Sequence, residues 1–207
     1  METTAPIVLS DLVSFPRTVN RAWVRDAVLV LSAALFTALC AQITIHLGFT
    51  PVPLTGQTFA VLSVGGILGT RRAMASQVVY WALGATGLPF YAANQDGIRG
   101  GWKLATGSTF GYFVGFVVAA GVVGWFADRR NDRNYVSSLS AMFLASGIIY
   151  AFGALWLAHS LNISVAAGGK DALYYGVTPF LVGDFLKAVI AAAIAPLGWA
   201  SYYAKPR

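Results

Sequence analysis

Charge is scarce in this sequence. Only 11% of its 207 residues are Asp, Glu, Lys or Arg, whereas 57% are hydrophobic. So little polar material does not cover a water-soluble domain of this size, which excludes an ordinary globular protein and points to an integral membrane protein. There is one cysteine, Cys40, so no internal disulfide forms, and a buried small apolar role fits it best. The two histidines, His46 and His159, stand apart with no cysteine or carboxylate at ligand spacing, so no metal site is expected. HExxH, GxSxG and GxxxxGK[ST] are all missing. The chain therefore carries neither a hydrolytic signature nor its own means of consuming ATP, and it is expected to be neither an enzyme nor a cofactor binder.

Long uncharged runs are plentiful. They cover residues 27–47, 52–70, 73–93, 104–127 and 135–169, and a sixth, 172–204, contains only Asp184 and Lys187 as formal charges. Each is long enough to span a bilayer, for which about 20 residues suffice. The expectation is an all-α integral membrane fold, a bundle of six transmembrane helices. The second run, "PVPLTGQTFAVLSVGGILG", opens on prolines and a turn and is expected to start late or run short. The first run is expected to be retained, since it starts after residue 26, is too long for a signal-peptide core and lacks a small-residue cleavage site. Residues 1–23 read as a cytoplasmic, interfacial lead-in anchored by Trp23, and 24–207 as a single membrane domain without internal repeats.

Basic residues orient this bundle. With six spans and the N-terminus inside, ten of the 14 (Arg17, Arg21, Arg25, Arg71, Arg72, Arg129, Arg130, Arg133, Lys205 and Arg207) fall on the cytoplasmic side. Arg99, Lys103 and Lys170 lie outside, and Lys187 within the membrane. The positive-inside rule favours this arrangement, with both termini cytoplasmic. The net charge of +6 is then a topology signal and an attraction to anionic lipid rather than a nucleic-acid footprint.

Chemistry gathers on the outer side. The first outer loop offers Gln57 behind Pro51 and Pro53. The second, "LPFYAANQDGIRGGWK", packs aromatics, an amide, an acid and two bases together, and the third leads into "FLVGDFLKAVI". Asp184 and Lys187 lie three apart, on one side of a helix and near its outer end. A structural ion pair is the plain alternative, but intramembrane charges are costly and mark functional sites by default. An anionic acceptor beside a cationic donor matches a small group that presents both N–H and C=O. In "GSTFGYFVGFVVAA" the spacing of Gly107, Gly111, Gly115 and Ala119 points to close helix packing, with Thr109 and Tyr112 near the outer end. Ala34 and Ala38 form a small-xxx-small pair on the first span.

The segments "ALFTALCAQITIHLGFTPVPLTGQTFAVL", "GILGTRRA", "YWALGATGLPFYA", "GSTFGYFVGF" and "FLVGDFLKA", in that order, closely resemble the BioY family, the biotin-specific substrate-binding (S) components of energy-coupling factor transporters. The resemblance runs from Ala33 to Ala193. It departs from the family at Ser108 and Phe110, where members usually carry proline and glycine. What it implies is a six-helix S component in a prokaryotic cytoplasmic membrane. Such a component binds biotin from outside and works with a coupling transmembrane subunit and two ATPase subunits. The family's Asp-x-x-Lys falls on Asp184 and Lys187, assigned to the ureido N–H and C=O. Asn94 and Gln57 would complete the polar set, Phe90, Tyr91 and Tyr112 would line the ring, and Arg99 or Lys103 would meet the carboxylate. The reverse assignment, with Lys187 on the carboxylate, stays open. Ala34 and Ala38 become the partner-docking face. The competing readings are an S component for another vitamin, a proton-coupled secondary transporter, and a membrane enzyme using the charged pair for proton transfer.

Overall fold

Residue Gly69, at φ +77°, joins two of the helices of this chain without a loop, and it shows how the apolar runs are cut into elements. The computed structural model describes residues 7–13, 15 and 21–204. Its helices are α1 (Ala22–Ala41), α2 (Gln57–Leu68), α3 (Thr70–Ala85), α4 (Trp102–Ala105), α5 (Phe110–Asp128), α6 (Tyr135–Leu161), α7 (Ala172–Gly176) and α8 (Leu181–Tyr203). A two-residue antiparallel ladder, β1 (Thr44–Ile45) with β2 (Leu54–Thr55), closes the α1–α2 connection. Among the described residues, four segments are long and apolar enough to cross a membrane: Ala22–Ala41, Phe110–Asp128, Tyr135–Leu161 and Ala172–Tyr203.

The second run does start late. Pro51 and Pro53 keep the chain extended until Gly56, and α2 has 12 residues, about 18 Å at 1.5 Å per residue. Ten of those twelve are buried, so α2 is the central helix, packed by α1, α3, α5 and α8. Its neighbour α3 has 16 residues and ends at Ala85, well short of the run's end at 93. The expected N-terminal lead-in falls mostly outside the described residues, as do Arg17, Lys205 and Arg207. Within the described part, Arg72 holds Asp11 at 3.1 Å and Asp26 at 2.9 Å, tying the Leu9–Leu12 turn to α1 and α3.

The glycine spacing in α5 is a packing seam against α6. A methyl at Gly111 would come 2.3 Å from the Phe152 carbonyl oxygen, and one at Gly115 would come 2.9 Å from the Ile149 Cα. The backbones approach because no side chain intervenes.

The expectation for Ala34 and Ala38 is corrected. Both are buried, with 0% and 6% exposure, in the seam that α1 forms with α2 and α3. The outward face of α1 carries Leu31, Leu35 and Leu39 instead. Small residues sit where helices of the same chain come closest, and large apolar residues face outward.

Candidate functional site

A cavity of about 460 Å³ opens where the α1–α2 hairpin and the 86–109 connection cover the start of α8. Its floor comes from α2, α6 and α8. Asp184, one turn into α8, is 6% exposed, and both of its carboxylate oxygens accept hydrogen bonds from neighbours. Oδ1 accepts from Lys187 Nζ at 2.7 Å. Oδ2 accepts from the Tyr150 hydroxyl at 2.8 Å and, more weakly, from Thr58 at 3.4 Å. Lys187 Nζ also donates to the Thr55 carbonyl at 2.6 Å. Pairing of this kind is what makes two charges tolerable in so apolar a helix.

Hydrogen-bond capacity shows what the pair still offers. An ammonium has three protons, and Lys187 uses two. A carboxylate has about four acceptor positions, and Asp184 Oδ1 receives only one donor. One donor and one acceptor direction therefore remain beside each other at the bottom of the cavity. That is the complement of a group with adjacent C=O and N–H.

Gln57 lines the cavity but is largely committed. Its Nε2 donates to the Tyr80 hydroxyl at 2.6 Å and its Oε1 accepts from Thr55 at 2.8 Å, leaving one amide proton. Asn94 lines it too, yet its Oδ1 accepts from the backbone N–H groups of Asp96 (3.0 Å) and Ile98 (2.8 Å). It shapes the loop more than it reaches inward. Tyr91, Thr109 and Tyr112 line the cavity. Tyr91 donates its hydroxyl to the Trp81 carbonyl, and burial raises its phenol above the ordinary value, which keeps it a neutral donor. Tyr112 donates to the Gly176 carbonyl at 2.7 Å, fastening α5 to α7.

Two expected residues lie elsewhere. Phe90 packs against the core beside the cavity rather than lining it. Arg99 donates to Gln42 Oε1, while Gln42 Nε2 reaches the Pro89 carbonyl at 3.3 Å, so Arg99 latches the loop to the end of α1. Lys103 is the other arginine or lysine of that loop, and it does line the mouth. Of the two residues that replace the usual proline and glycine, Ser108 lines the cavity. Phe110 turns away, its ring 5.0 Å from that of Trp156.

Tyr150, Thr58 and Thr55 were not foreseen, and neither were the apolar walls of Phe113, Phe116, Ile149 and Phe180. A lone tyrosine in "GIIYAFG" was a usable signal, since a phenol inside a membrane helix needs a partner for its hydroxyl. His46 lines the mouth and bonds the Ala93 carbonyl at 2.8 Å, joining the α1–α2 connection to the 86–109 connection. No group of three potential metal ligands occurs among the described residues.

Comparison with known proteins places this geometry. The profile of the BioY family matches residues 10–204. The biotin transporter BioY of Rhizobium etli is 35% identical over 178 residues, covering 82% of this chain and 90% of its own. The probable biotin transporter BioY of Pyrococcus horikoshii is 37% identical over 165 residues, covering 78% and 90%. Among solved structures, the crystal structure of an S-component for biotin from an ECF-type ABC transporter superposes with a TM-score of 0.74. It covers 86% of this chain and 92% of that one at 24% identity, a likeness of fold. Matched along nearly its whole length by the family profile and by relatives above 30% identity, the chain belongs to the BioY family.

Proposed function

We propose that this protein is the biotin-binding S component of an energy-coupling factor transporter, taking biotin from outside a prokaryotic cytoplasmic membrane for uptake. The observation that carries the reading is the Asp184–Lys187 pair on the cavity floor, with one acceptor and one donor direction unused. Asp184 accepts a ureido N–H and Lys187 donates to the ureido oxygen. The fused rings lie against Tyr91, Phe113 and Phe116, and the valerate carboxylate reaches Lys103 rather than Arg99, which is held by Gln42. The names of the relatives support the same ligand.

The topology proposed has six crossings, α2 and α3 being the short ones, with both termini cytoplasmic. It is supported by the split of basic residues, ten inside against three outside. The partners proposed are a coupling transmembrane subunit and two ATPase subunits, consistent with the lack of an ATP-binding motif in this chain. Ala34 and Ala38 drop out as a docking face because they are buried.

The test is ligand retention. Purified protein is incubated with an equimolar mixture of vitamins, washed and analysed for what stays bound; biotin alone is expected. Retention of a different vitamin would overturn the ligand. Biotin uptake driven by a pH gradient, without the ATPase subunits, would favour a secondary transporter instead.

A further inference from the structure

Four charged side chains line the cavity, and they form two pairs of different character. The deep pair, Asp184 and Lys187, is closed on itself at 2.7 Å. The mouth holds Asp96 and Lys103, both exposed and both on the connection between α3 and α5. No ion pair joins them among the described residues. The Asp96 carboxylate accepts only from the Asn94 side-chain amide, at 3.3 Å, and the Lys103 ammonium has no hydrogen-bond or ion-pair partner among the described residues. Ile98, 54% exposed and lining the same cavity, adds an apolar surface.

A ligand whose outer end is a bare carboxylate uses Lys103 and meets repulsion from Asp96. A ligand whose outer end is a zwitterion uses both charges, and an aliphatic stem leading to it covers Ile98. Resting on the biotin reading above, we propose that the mouth recognises an α-amino acid zwitterion, so that the site takes the lysine conjugate ε-N-biotinyl-lysine as well as free biotin. The conjugate's carboxylate faces Lys103 and its ammonium faces Asp96. Its amide replaces the valerate carboxylate and lies near the hydroxyls of Ser108 and Thr109, which line the same cavity, and the exposed Lys103 side chain turns from the position it takes on free biotin outward to the conjugate's carboxylate.

Calorimetric titration of the full-length protein with biotin, ε-N-biotinyl-lysine and the Nα-acetylated conjugate tests this. The wild type is expected to bind biotin and the conjugate, and to bind the acetylated form about two- to fivefold more weakly than the conjugate, the scale of an exposed ion pair. Asp96→Asn keeps the acceptor for Asn94. It should cost the conjugate about that same factor, leave the acetylated form unchanged and leave biotin unchanged or tighter. Biotin binding without conjugate binding overturns this inference alone. So does an Asp96→Asn effect equal for all three ligands. If biotin itself does not bind, the biotin reading falls and this inference with it.

Discussion

Replacing Lys187 by Met keeps the length of the side chain and removes its charge, which separates two roles of the Asp184–Lys187 pair. The substitution deletes the 2.7 Å bond to Asp184 and the 2.6 Å bond to the Thr55 carbonyl. Asp184 then keeps only Tyr150 and Thr58, at 6% exposure, with no cation. Breaking a buried pair from one side costs about 3–5 kcal/mol, because the remaining charge is left uncompensated. Asp184→Asn combined with Lys187→Met removes that charge as well, so the double variant should melt at a higher temperature than Lys187→Met alone. Biotin affinity should not follow. Loss of a charge-assisted bond to the ureido oxygen costs about 2–3 kcal/mol, roughly 30- to 160-fold in Kd, and the double variant also loses the anionic acceptor. Thermal unfolding in detergent and calorimetric titration of the same samples give both quantities. Wild-type affinity in either variant would refute the reasoning and leave the pair as a structural lock.

Ala34→Leu with Ala38→Leu should overpack the α1 seam by about 1–3 kcal/mol each and lower melting temperature and biotin binding together; unchanged stability with selective loss of energised uptake would contradict the burial. Gly153→Ala would put a methyl 2.2 Å from the Tyr112 ring, forcing it off the Gly176 carbonyl and weakening ligand binding by about tenfold, whereas Gly147→Ala, with nothing within 4 Å, should leave titrations unchanged. In the α5–α6 turn, burial raises the Asp132 carboxyl above its ordinary value, outweighing the Trp199 hydrogen bond and the Arg133 charge. Its folded form therefore binds the proton more tightly than the unfolded chain. The stability this contributes is complete below the unfolded value and lost as pH rises through the folded one. Asp132→Asn keeps an acceptor for Trp199 Nε1, so it should melt higher than wild type at pH 7 and lose that advantage below about pH 4; equal melting across this range would sink the assignment.

Different parts of this structure were legible in the sequence to different degrees, for physical reasons. Asp184 and Lys187 stand out because charge in an apolar helix is costly, and the Gly111 and Gly115 spacing stands out because only glycine permits such close backbones. The lateness of α2 follows from Pro51 and Pro53. Small residues reveal close approach but not the partner, so Ala34 and Ala38 looked equally suited to an outside helix. Phe113 and Phe116 were invisible as cavity walls because α5 is hydrophobic all round, and such a helix gives no facing signal. The different surroundings of Arg99 and Lys103 follow from the path of their loop, which turns at Gly97 and Gly101 with positive φ and carries one cation to Gln42 and the other to the rim. The convergence of Tyr150 and Thr58 on Asp184 is a tertiary fact with no local trace.

Closure of Asp184 on Lys187 also decides how α8 responds to membrane voltage. A single charge carried through a potential of 100 mV does about 2.3 kcal/mol of electrical work, enough to bias a conformational equilibrium strongly. Both members of the pair ride on α8, less than one turn apart, and with their charges cancelled at 2.7 Å this helix shifts in the field with almost no net work. A ureido group is itself neutral, so placing one on the floor of the cavity, as proposed, does not change that balance. In the proposed binding mode the voltage acts instead on the ligand's own carboxylate, at the Lys103 end.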